Sequence, residues 1–463
     1  MEKSYRRIRY YVYGVPLLLI VFLIALVIYT PKPSRLLVIG LDAADWDIID
    51  TLIEAGRIPN IERIVEGGVR GKLETIEPSI SAALWTSIST GVSPHVHGIT
   101  DFVIPGQGPL PFSSGMRKVP AIWNIASYYG KRVGIVGHWM TWPAEKVNGQ
   151  IVSSFISYKP GTSFTVEYRG KLEEVVDLPD KAYPPEFARE ILPLVITKDD
   201  VTTSDLDRFF NIDDWSDPDL YEKELRHSMT YLVPFFYAAD KSFLDIFDYM
   251  RHDKGPYDYL FTYVEGTDSN AHRFWQFHDP TYLEEAMKHW GYDLSNKDKY
   301  IRYFGDTINR YYEWVDERIG NVINEMGPRD TLIILSDHGF GPYTEEDGEY
   351  SKENEGHTFS GSHAHFGILL MYGANVKQGY RLQGQPPKVL DIVPTALTLM
   401  KLPMANYIEG RVIWDAISPR FAATYRERWI NSYGMESQFG KQSRQSPFDE
   451  DLVERMKSLG YLQ

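Results

Sequence analysis

The sequence predicts an α/β protein, in which a largely parallel β-sheet carries helices on both faces. Short apolar runs that end in Gly or Asp alternate with longer stretches whose apolar residues recur at helical spacing. The apolar runs are nearly continuous, which is typical of strands buried on both faces. Strands that alternate with helices along the chain indicate parallel strands joined by crossover helices.

The elements follow one another in this order along the chain. The predicted strands are Leu36–Leu41, Val133–Val136, Tyr259–Val264, Thr331–Leu335 and residues 368–372. The predicted helices are Trp46–Glu54 and residues 58–66, 119–129, 221–249, 300–326 and 391–400. Residues 155–255 are first rich in Pro, Asp and Tyr and then strongly helical, so they predict an insertion, or cap, over the site. Residues 449–463 predict a short helix and tail.

Composition limits the possible functions. A chain of 463 residues with 43% hydrophobic and 14% aromatic residues is a folded protein and not a disordered one. Its net charge of −15 argues against a nucleic-acid partner, which needs a basic surface. An acidic enzyme can still bind anionic substrates where bound cations dominate the local field. The absence of cysteine excludes disulfides and thiolate chemistry.

The N-terminal region predicts a membrane anchor. Residues 10–30 carry no charge, and as a helix they would be about 31 Å long, which matches a bilayer core. Lys3, Arg6, Arg7 and Arg9 precede them, so residues 1–9 are predicted to be cytoplasmic. A cleaved signal peptide is the alternative, but no small-x-small cleavage site follows the run.

The predicted location is therefore the cell (inner) membrane, with a single span and with the catalytic domain on the periplasmic or extracellular side. Residues 31–34 would join the span to a domain at residues 34–463. At about 3.5 Å per residue this tether reaches roughly 15 Å, which keeps the domain near the membrane surface.

Acidic and imidazole side chains follow the predicted strands. Asp42 comes first after Leu36–Leu41, and the adjacent Asp337 and His338 follow Thr331–Leu335. Sites in open α/β sheets form beyond the carboxyl ends of strands. Carboxylate and imidazole are ligands for divalent ions such as zinc or manganese. The alternative for Asp337 and His338 is a turn that caps the strand and carries a surface histidine.

Further candidates lie in short polar segments. In TDSNAH, Asp268 and His272 are four residues apart and would share one helix face, although Asp268 could instead only cap that helix. SGSHAHFG contains His363 and His365, with His357 nearby, and spacing alone does not choose between them.

Two other segments have both a structural and a catalytic interpretation. Asp45 and Asp47 suit a helix N-terminus better than a metal site. PSISAALWTSISTG enters a helix, and a serine there is usually an N-cap. It is also where a cation-activated nucleophile would lie, because a helix N-terminus favours phosphate.

Taken together, these fragments resemble the alkaline phosphatase superfamily, and within it the type I phosphodiesterase/nucleotide pyrophosphatase family, especially its bacterial members. The resemblance runs from about residue 36 to residue 461. It rests on VIGLDAADWD, PSISAALWTSISTGVSPHVHGITDF, TWPAEKVNG, TDSNAH, SDHGFGP, SGSHAHFGIL, DIVPTALTLMKLP and the SLGYL tail. It implies an alkaline-phosphatase-like fold.

The resemblance also implies roles for individual residues. Ser81, ten residues before Gly91, takes the place of the nucleophile, which is more often Thr in the family. Family members usually bind two zinc ions, and manganese is the alternative. One ion would be held by Asp42, Asp337 and His338 and would bind the Ser81 oxygen, and the other by Asp268, His272 and His363.

Two departures from relatives are visible. Eukaryotic nucleotide pyrophosphatases place an Asn shortly after the nucleophile to hold the phosphate, whereas here the run is Ala82-Ala83-Leu84-Trp85. The same run lacks the Pro and Arg of the C/S-x-P-x-R sulfatase signature, which argues against a formylglycine sulfatase.

The predicted function is hydrolysis of a phosphodiester or pyrophosphate by in-line attack of Ser81, through a phospho-serine intermediate. Lipid-linked phosphates are among the predicted substrates. The alternatives are a headgroup transferase acting on lipid or lipid-linked substrates, a phosphomonoesterase, and a non-catalytic membrane-tethered binding module.

Overall fold

A computed structural model describes residues 35–102, 113–157, 164–168, 171–175, 180–221, 225–226, 228–342 and 361–440. The strands are β1 Leu36–Leu41, β2 Val69–Glu74, β3 Val133–Val136, β4 Gly149–Val152, β5 Phe164–Tyr168, β6 Lys171–Val175, β7 Ala182–Tyr183, β8 Tyr259–Val264, β9 Thr331–Leu335, β10 Gly339–Gly341, β11 Ser362–Ala364, β12 Phe366–Gly373, β13 Tyr380–Arg381, β14 Met404–Ala405 and β15 Trp429–Ile430.

The α-helices are α1 Trp46–Glu54, α2 Pro59–Gly67, α3 Ser81–Thr90, α4 Pro94–His97, α5 Ile122–Tyr128, α6 Pro185–Ile191, α7 Thr203–Leu206, α8 Val233–Tyr249, α9 Gly266–His278, α10 Leu283–Trp290, α11 Lys297–Phe304, α12 Thr307–Asn324, α13 Ile392–Leu399 and α14 Pro419–Thr424. Among the described residues, no helix combines the length and apolarity that a bilayer crossing requires. The predicted span at residues 10–30 and the predicted helix at residues 449–463 lie outside the described residues.

A nine-stranded sheet runs in the order β13-β2-β12-β9-β1-β8-β3-β4-β7. Its central strands are parallel, since β1 pairs with β8 and β9, and β3 pairs with β8 and β4. Strand β12 is antiparallel to both β2 and β9, and β7 is antiparallel to β4. The sheet is therefore mixed, and the prediction of a largely parallel sheet holds only for its centre. An apolar run shows that a strand is buried but does not show its direction.

The register brings several strand ends to one edge. Leu41 of β1 pairs with Val264 of β8, and Gly40 pairs with Leu335 of β9. The residues that follow these strands consequently leave the sheet side by side. This edge is where the sequence places its candidate site.

Helices cover both faces of the sheet, as predicted. On one face, Ile39 and Val264 line a small cavity together with Phe247 of α8 and Val315 of α12. On the other face α3 packs so closely that a Cβ at Gly40 would lie 2.4 Å from the Trp85 ring. Neighbouring residues of a strand point to opposite faces, so β1 is buried between two helix layers.

The predicted helix at residues 300–326 is in fact two helices. It breaks between α11 and α12 at Gly305 and Asp306. Asp306 departs from helical geometry, with φ −103° and ψ 4°, and its carboxylate accepts two hydrogen bonds of 2.8 Å from the Arg57 guanidinium. Arg57 is distant in sequence, so this break is not visible in the local pattern.

The described parts of residues 155–255 include elements that belong to the main sheet and to one of its helix layers. Strand β7 joins the edge of the main sheet, and α8 packs on β8 as part of a covering helix layer. Within the predicted helix at 221–249, the described residues include a π-helical turn at Ser228–Leu232 and then an α-helix at Val233–Tyr249. The apolar residues of α8 are buried against the sheet, which is why this part belongs to the central fold.

Candidate active site

One group of candidate metal ligands lies at the ends of β1 and β9. Asp42, Asp337 and His338 are fully buried and offer ligand atoms that all lie within 4.8 Å of one another. Nε2 of His338 is 3.4 Å from Oδ1 of Asp42 and 3.6 Å from Oδ2 of Asp337. Nδ1 of His338 donates to the Gly339 carbonyl at 3.0 Å, so the lone pair of Nε2 faces the two carboxylates.

A second group adjoins the first. Asp268 and His272 share one face of α9, and Nε2 of His272 lies 3.4 Å from Oδ1 of Asp268. Nε2 of His363 is 3.6 Å from the same oxygen and only 3.0 Å from Nε2 of His272. Nδ1 of His363 donates to the Ser79 carbonyl at 3.3 Å, which directs Nε2 inward.

His338 connects the two groups. Its ring stacks on that of His363, with centroids 3.9 Å apart. Ligand atoms of Asp268, His338 and His363 also lie within 4.8 Å of one another. The two triads predicted from the sequence are therefore not separate in space, because His338 lies beside ligand atoms of both.

Ser81 lies at the edge of this cluster. It is the first residue of α3 and is fully buried. Its hydroxyl donates to Oδ1 of Asp42 at 3.4 Å, whereas the N-cap position is taken by Ile80 without a side-chain cap bond. Ser81 is therefore not the helix cap that its sequence position allowed.

Burial and like charges oppose ionisation of two of the carboxyl groups. Burial raises the pKa of Asp42 well above its usual range, and the charges of Asp337 and Asp268 add to this effect. Burial, followed by the charge of Asp268, raises the pKa of Asp337 to about 7. A bound cation would compensate for this repulsion.

Imidazoles influence the other side of the cluster. Burial alone would raise the pKa of Asp268, but His272, followed by His363 and His338, lowers it. Burial and the neighbouring His338 lower the pKa of His363 well below its usual range, so His363 is neutral and its ring can bind a metal ion.

The cluster fits divalent cations. Oδ2 of Asp337 and Nε2 of His338 are buried and have no hydrogen-bond partner among the described residues. Such atoms are costly to bury unless something else binds them. Two imidazole nitrogens 3.0 Å apart also fit two ligands of one ion.

The remaining acidic and histidine candidates lie elsewhere. The His365 side chain is 55% exposed, with Nε2 3.7 Å from the Glu74 carboxylate. His357 lies outside the described residues. Asp45 is the N-cap of α1 and accepts from the Asp47 N–H at 2.8 Å, which confirms the helix-terminal interpretation of both.

Two aromatic residues of the site were not found from the sequence. Trp85 of α3 and Tyr263 of β8 both donate to Oδ2 of Asp42. Tyr263 belongs to an apolar run that reads only as a buried strand. The single available signal was that Trp85 follows Ser81 by four residues, which places both on one helix face.

Comparison with known families identifies the class of enzyme. The family model described as type I phosphodiesterase / nucleotide pyrophosphatase matches residues 36–437. A match over most of the chain means that this protein is a hydrolase of phosphoric esters. The chain belongs to the type I phosphodiesterase/nucleotide pyrophosphatase family.

Solved structures with similar folds include three named enzymes. An inactive murine ectonucleotide pyrophosphatase/phosphodiesterase 5 in complex with AMP is 12% identical, with 83% of this chain and 100% of that chain covered and a TM-score of 0.46. A substituted alkaline phosphatase PafA is also 12% identical, with coverages of 84% and 100% and a TM-score of 0.43. Phosphonoacetate hydrolase from Sinorhizobium meliloti 1021 is 18% identical, with coverages of 70% and 63% and a TM-score of 0.37. No curated protein matches the chain.

Proposed function

We propose that this chain is a membrane-anchored, two-cation phosphodiesterase or nucleotide pyrophosphatase in which Ser81 is the nucleophile. The observation that carries the proposal is the position of the Ser81 hydroxyl, 3.4 Å from Oδ1 of Asp42 at the first residue of α3. The N-terminal turn of a helix carries N–H groups without helical acceptors and a positive partial charge, both of which favour a phosphoryl group.

The two ligand groups would each hold one divalent ion. Zinc suits their carboxylate and imidazole donors best, and manganese is the alternative. Bound there, the two cations would neutralise charge on the phosphoryl oxygens and ease deprotonation of a coordinated hydroxyl or water. The first ion would be held by Asp42, Asp337 and His338, and the second by Asp268, His272 and His363.

The residues of the chain then perform a double displacement. The Ser81 oxygen, having lost its proton, attacks phosphorus while the bond to the leaving oxygen breaks on the opposite side. This forms phospho-Ser81 and releases an alcohol or a phosphate-bearing product. Water next attacks the phosphorus, the bond from phosphorus to the Ser81 oxygen breaks, and a phosphate monoester is released. A proton from the water passes to the Ser81 oxygen and regenerates the hydroxyl. Transfer to an acceptor alcohol in place of water would make the enzyme a headgroup transferase.

The decisive experiment compares bis(p-nitrophenyl) phosphate with p-nitrophenyl phosphate, using the purified full chain with and without zinc or manganese. We expect metal-dependent cleavage of the diester. Ser81→Ala should lower kcat by roughly three orders of magnitude or more, because the attacking oxygen is removed. Ser89→Ala is the matched control, since Ser89 is buried on the same helix and donates only to the Thr86 carbonyl.

Each other result points to a different function. Full activity of Ser81→Ala would rule out the phospho-serine mechanism. Preference for the monoester would indicate a phosphomonoesterase. Bound metal without turnover of either ester would indicate a transferase that needs its own lipid or lipid-linked donor, and absence of both would indicate a binding module.

A further inference from the structure

The carboxylate of Asp42 is divided between two sets of partners. Its Oδ2 accepts from the indole N–H of Trp85 at 3.2 Å and from the Tyr263 hydroxyl. Its Oδ1 instead accepts from the Ser81 hydroxyl at 3.4 Å and lies 3.4 Å from Nε2 of His338. One oxygen is thus held by aromatic donors, and the other faces the nucleophile and the cation site.

Helix α3 supplies a contact to each oxygen. Ser81 and Trp85 are four residues apart, so both side chains leave the same face of the helix. Gly40 of β1 makes this approach possible, because a side chain there would occupy the space of the Trp85 ring. Helix α3 therefore fixes the nucleophile and the orientation of Asp42 together.

Tyr263 is itself held in place. The indole N–H of Trp139 donates to the Tyr263 oxygen at 2.8 Å, so the phenol proton is directed to Asp42. The rings of Trp85 and Tyr263 pack edge to face, with their centroids 5.1 Å apart. The rings of Trp139 and Phe102 also pack edge to face, with their centroids 4.9 Å apart. These side chains are all buried, which restricts their movement.

We propose that Trp85 and Tyr263, with Trp139 behind them, are positioning residues that restrict Asp42 to one metal-binding oxygen and keep that oxygen beside Ser81. This inference rests on the proposed function. Two donors that occupy Oδ2 leave Oδ1 for a cation, whereas a carboxylate free to rotate could present either oxygen.

The test measures zinc affinity of the metal-depleted full chain with a competing chromophoric chelator, together with kcat and KM for the diester. Tyr263→Phe and Trp85→Phe should each weaken zinc binding by roughly 10–100-fold, the usual effect of losing a hydrogen-bond partner of a ligand. We expect kcat to fall while KM changes by less than about threefold, because the substrate is not contacted. Trp139→Phe should show a smaller loss in the same direction.

Matched controls remove the same donors from buried sites elsewhere. Tyr257→Phe deletes a hydroxyl that donates to Gln150 at 2.6 Å, and Trp123→Phe deletes an indole N–H that donates to Glu145 at 2.9 Å. Both should bind zinc like the unsubstituted chain. Circular dichroism and urea unfolding check each variant. If Trp85→Phe does not fold, Tyr263→Phe, which loses a single oxygen atom, decides the question.

Zinc affinity and kcat in Tyr263→Phe equal to those of its control would overturn the proposal. Failure of the proposed function can be distinguished from failure of the positioning role, because zinc affinity is measured without substrate. A chain that binds zinc in a Tyr263-dependent manner but cleaves neither ester would retain the positioning role and lose the hydrolase assignment. A chain that binds no divalent cation would overturn the positioning role whatever its activity.

Discussion

At the scale of single residues, the site places buried carboxylates closer together than their charges favour. Asp42 and Asp337 both have raised pKa values, and burial is the largest cause for each. Nε2 of His338 approaches both of them, and Nε2 of His363 approaches Asp268. Nδ1 of each ring is already bound to a backbone carbonyl. The arrangement is costly for the protein alone and becomes favourable when cations bind.

This charge arrangement predicts a pH-dependent response to metal. An aspartate in the unfolded chain has a pKa of about 3.9, whereas that of Asp337 is about 7 in the fold. Between these values the metal-free folded state binds more protons than the unfolded state, so its free energy of unfolding decreases as pH rises. Cation binding needs the ionised carboxylates, so the stabilisation by zinc should increase from pH 5 to pH 7.5.

The measurement is the zinc-induced shift in Tm of the chelator-treated protein at the two pH values. Asp240, whose pKa burial also raises to about 7, contributes equally with and without zinc, so its effect cancels in the shift. A shift of equal size at both pH values would contradict the assignment of Asp42 and Asp337 as ligands.

At the scale of elements, α9 is the helix on which the second ligand group depends. The Asp240 carboxylate of α8 accepts from the backbone N–H of Glu265 at 2.8 Å and of Gly266 at 2.7 Å. It also accepts from the Tyr311 hydroxyl of α12 at 2.7 Å. These contacts hold the first turn of α9, and with it Asp268, against both neighbouring helices.

Gly266 allows this close packing. A Cβ at Gly266 would lie 2.2 Å from the Tyr311 hydroxyl, so Gly266→Ala must displace Tyr311 or the start of α9. We expect it to lower the free energy of unfolding by roughly 1–3 kcal/mol, as overpacking does in other cores, and to weaken zinc binding. Urea unfolding measures the first effect. Gly341→Ala is the control, because its Cβ would meet no atom of the described residues within 4 Å. Equal free energies of unfolding for the two variants would show that the fold tolerates displacement of Tyr311 or of the start of α9.

At the scale of the whole molecule, the site lies at the far end of β1 from the point where the described chain begins. Arg35 precedes β1 and Asp42 follows it, a separation of about 20 Å at 3.3 Å per residue. The proposed ligands and Ser81 all belong to residues 42–363.

Removal of residues 1–34 should consequently leave the chemistry intact. We expect kcat/KM for a soluble diester to stay within about twofold, because no ligand or nucleophile is removed, while the protein moves from the membrane fraction to the soluble fraction. Activity assays and fractionation of the two forms measure this. Loss of diester cleavage in the shortened chain, with its fold preserved by circular dichroism, would contradict it. If the shortened chain fractionated like the full chain, the prediction of a membrane anchor in residues 1–34 would be wrong.

The sequence by itself determined where the central strands lie and which residues end them. Strands β1, β3, β8 and β9 have the predicted bounds, because a buried strand between turns needs a short apolar run that its own residues reveal. The tertiary structure alone decided the direction of β12, the break before α12, and the bonds of Trp85 and Tyr263 to Asp42. Each of these depends on contacts between residues far apart in the chain, which local periodicity does not record.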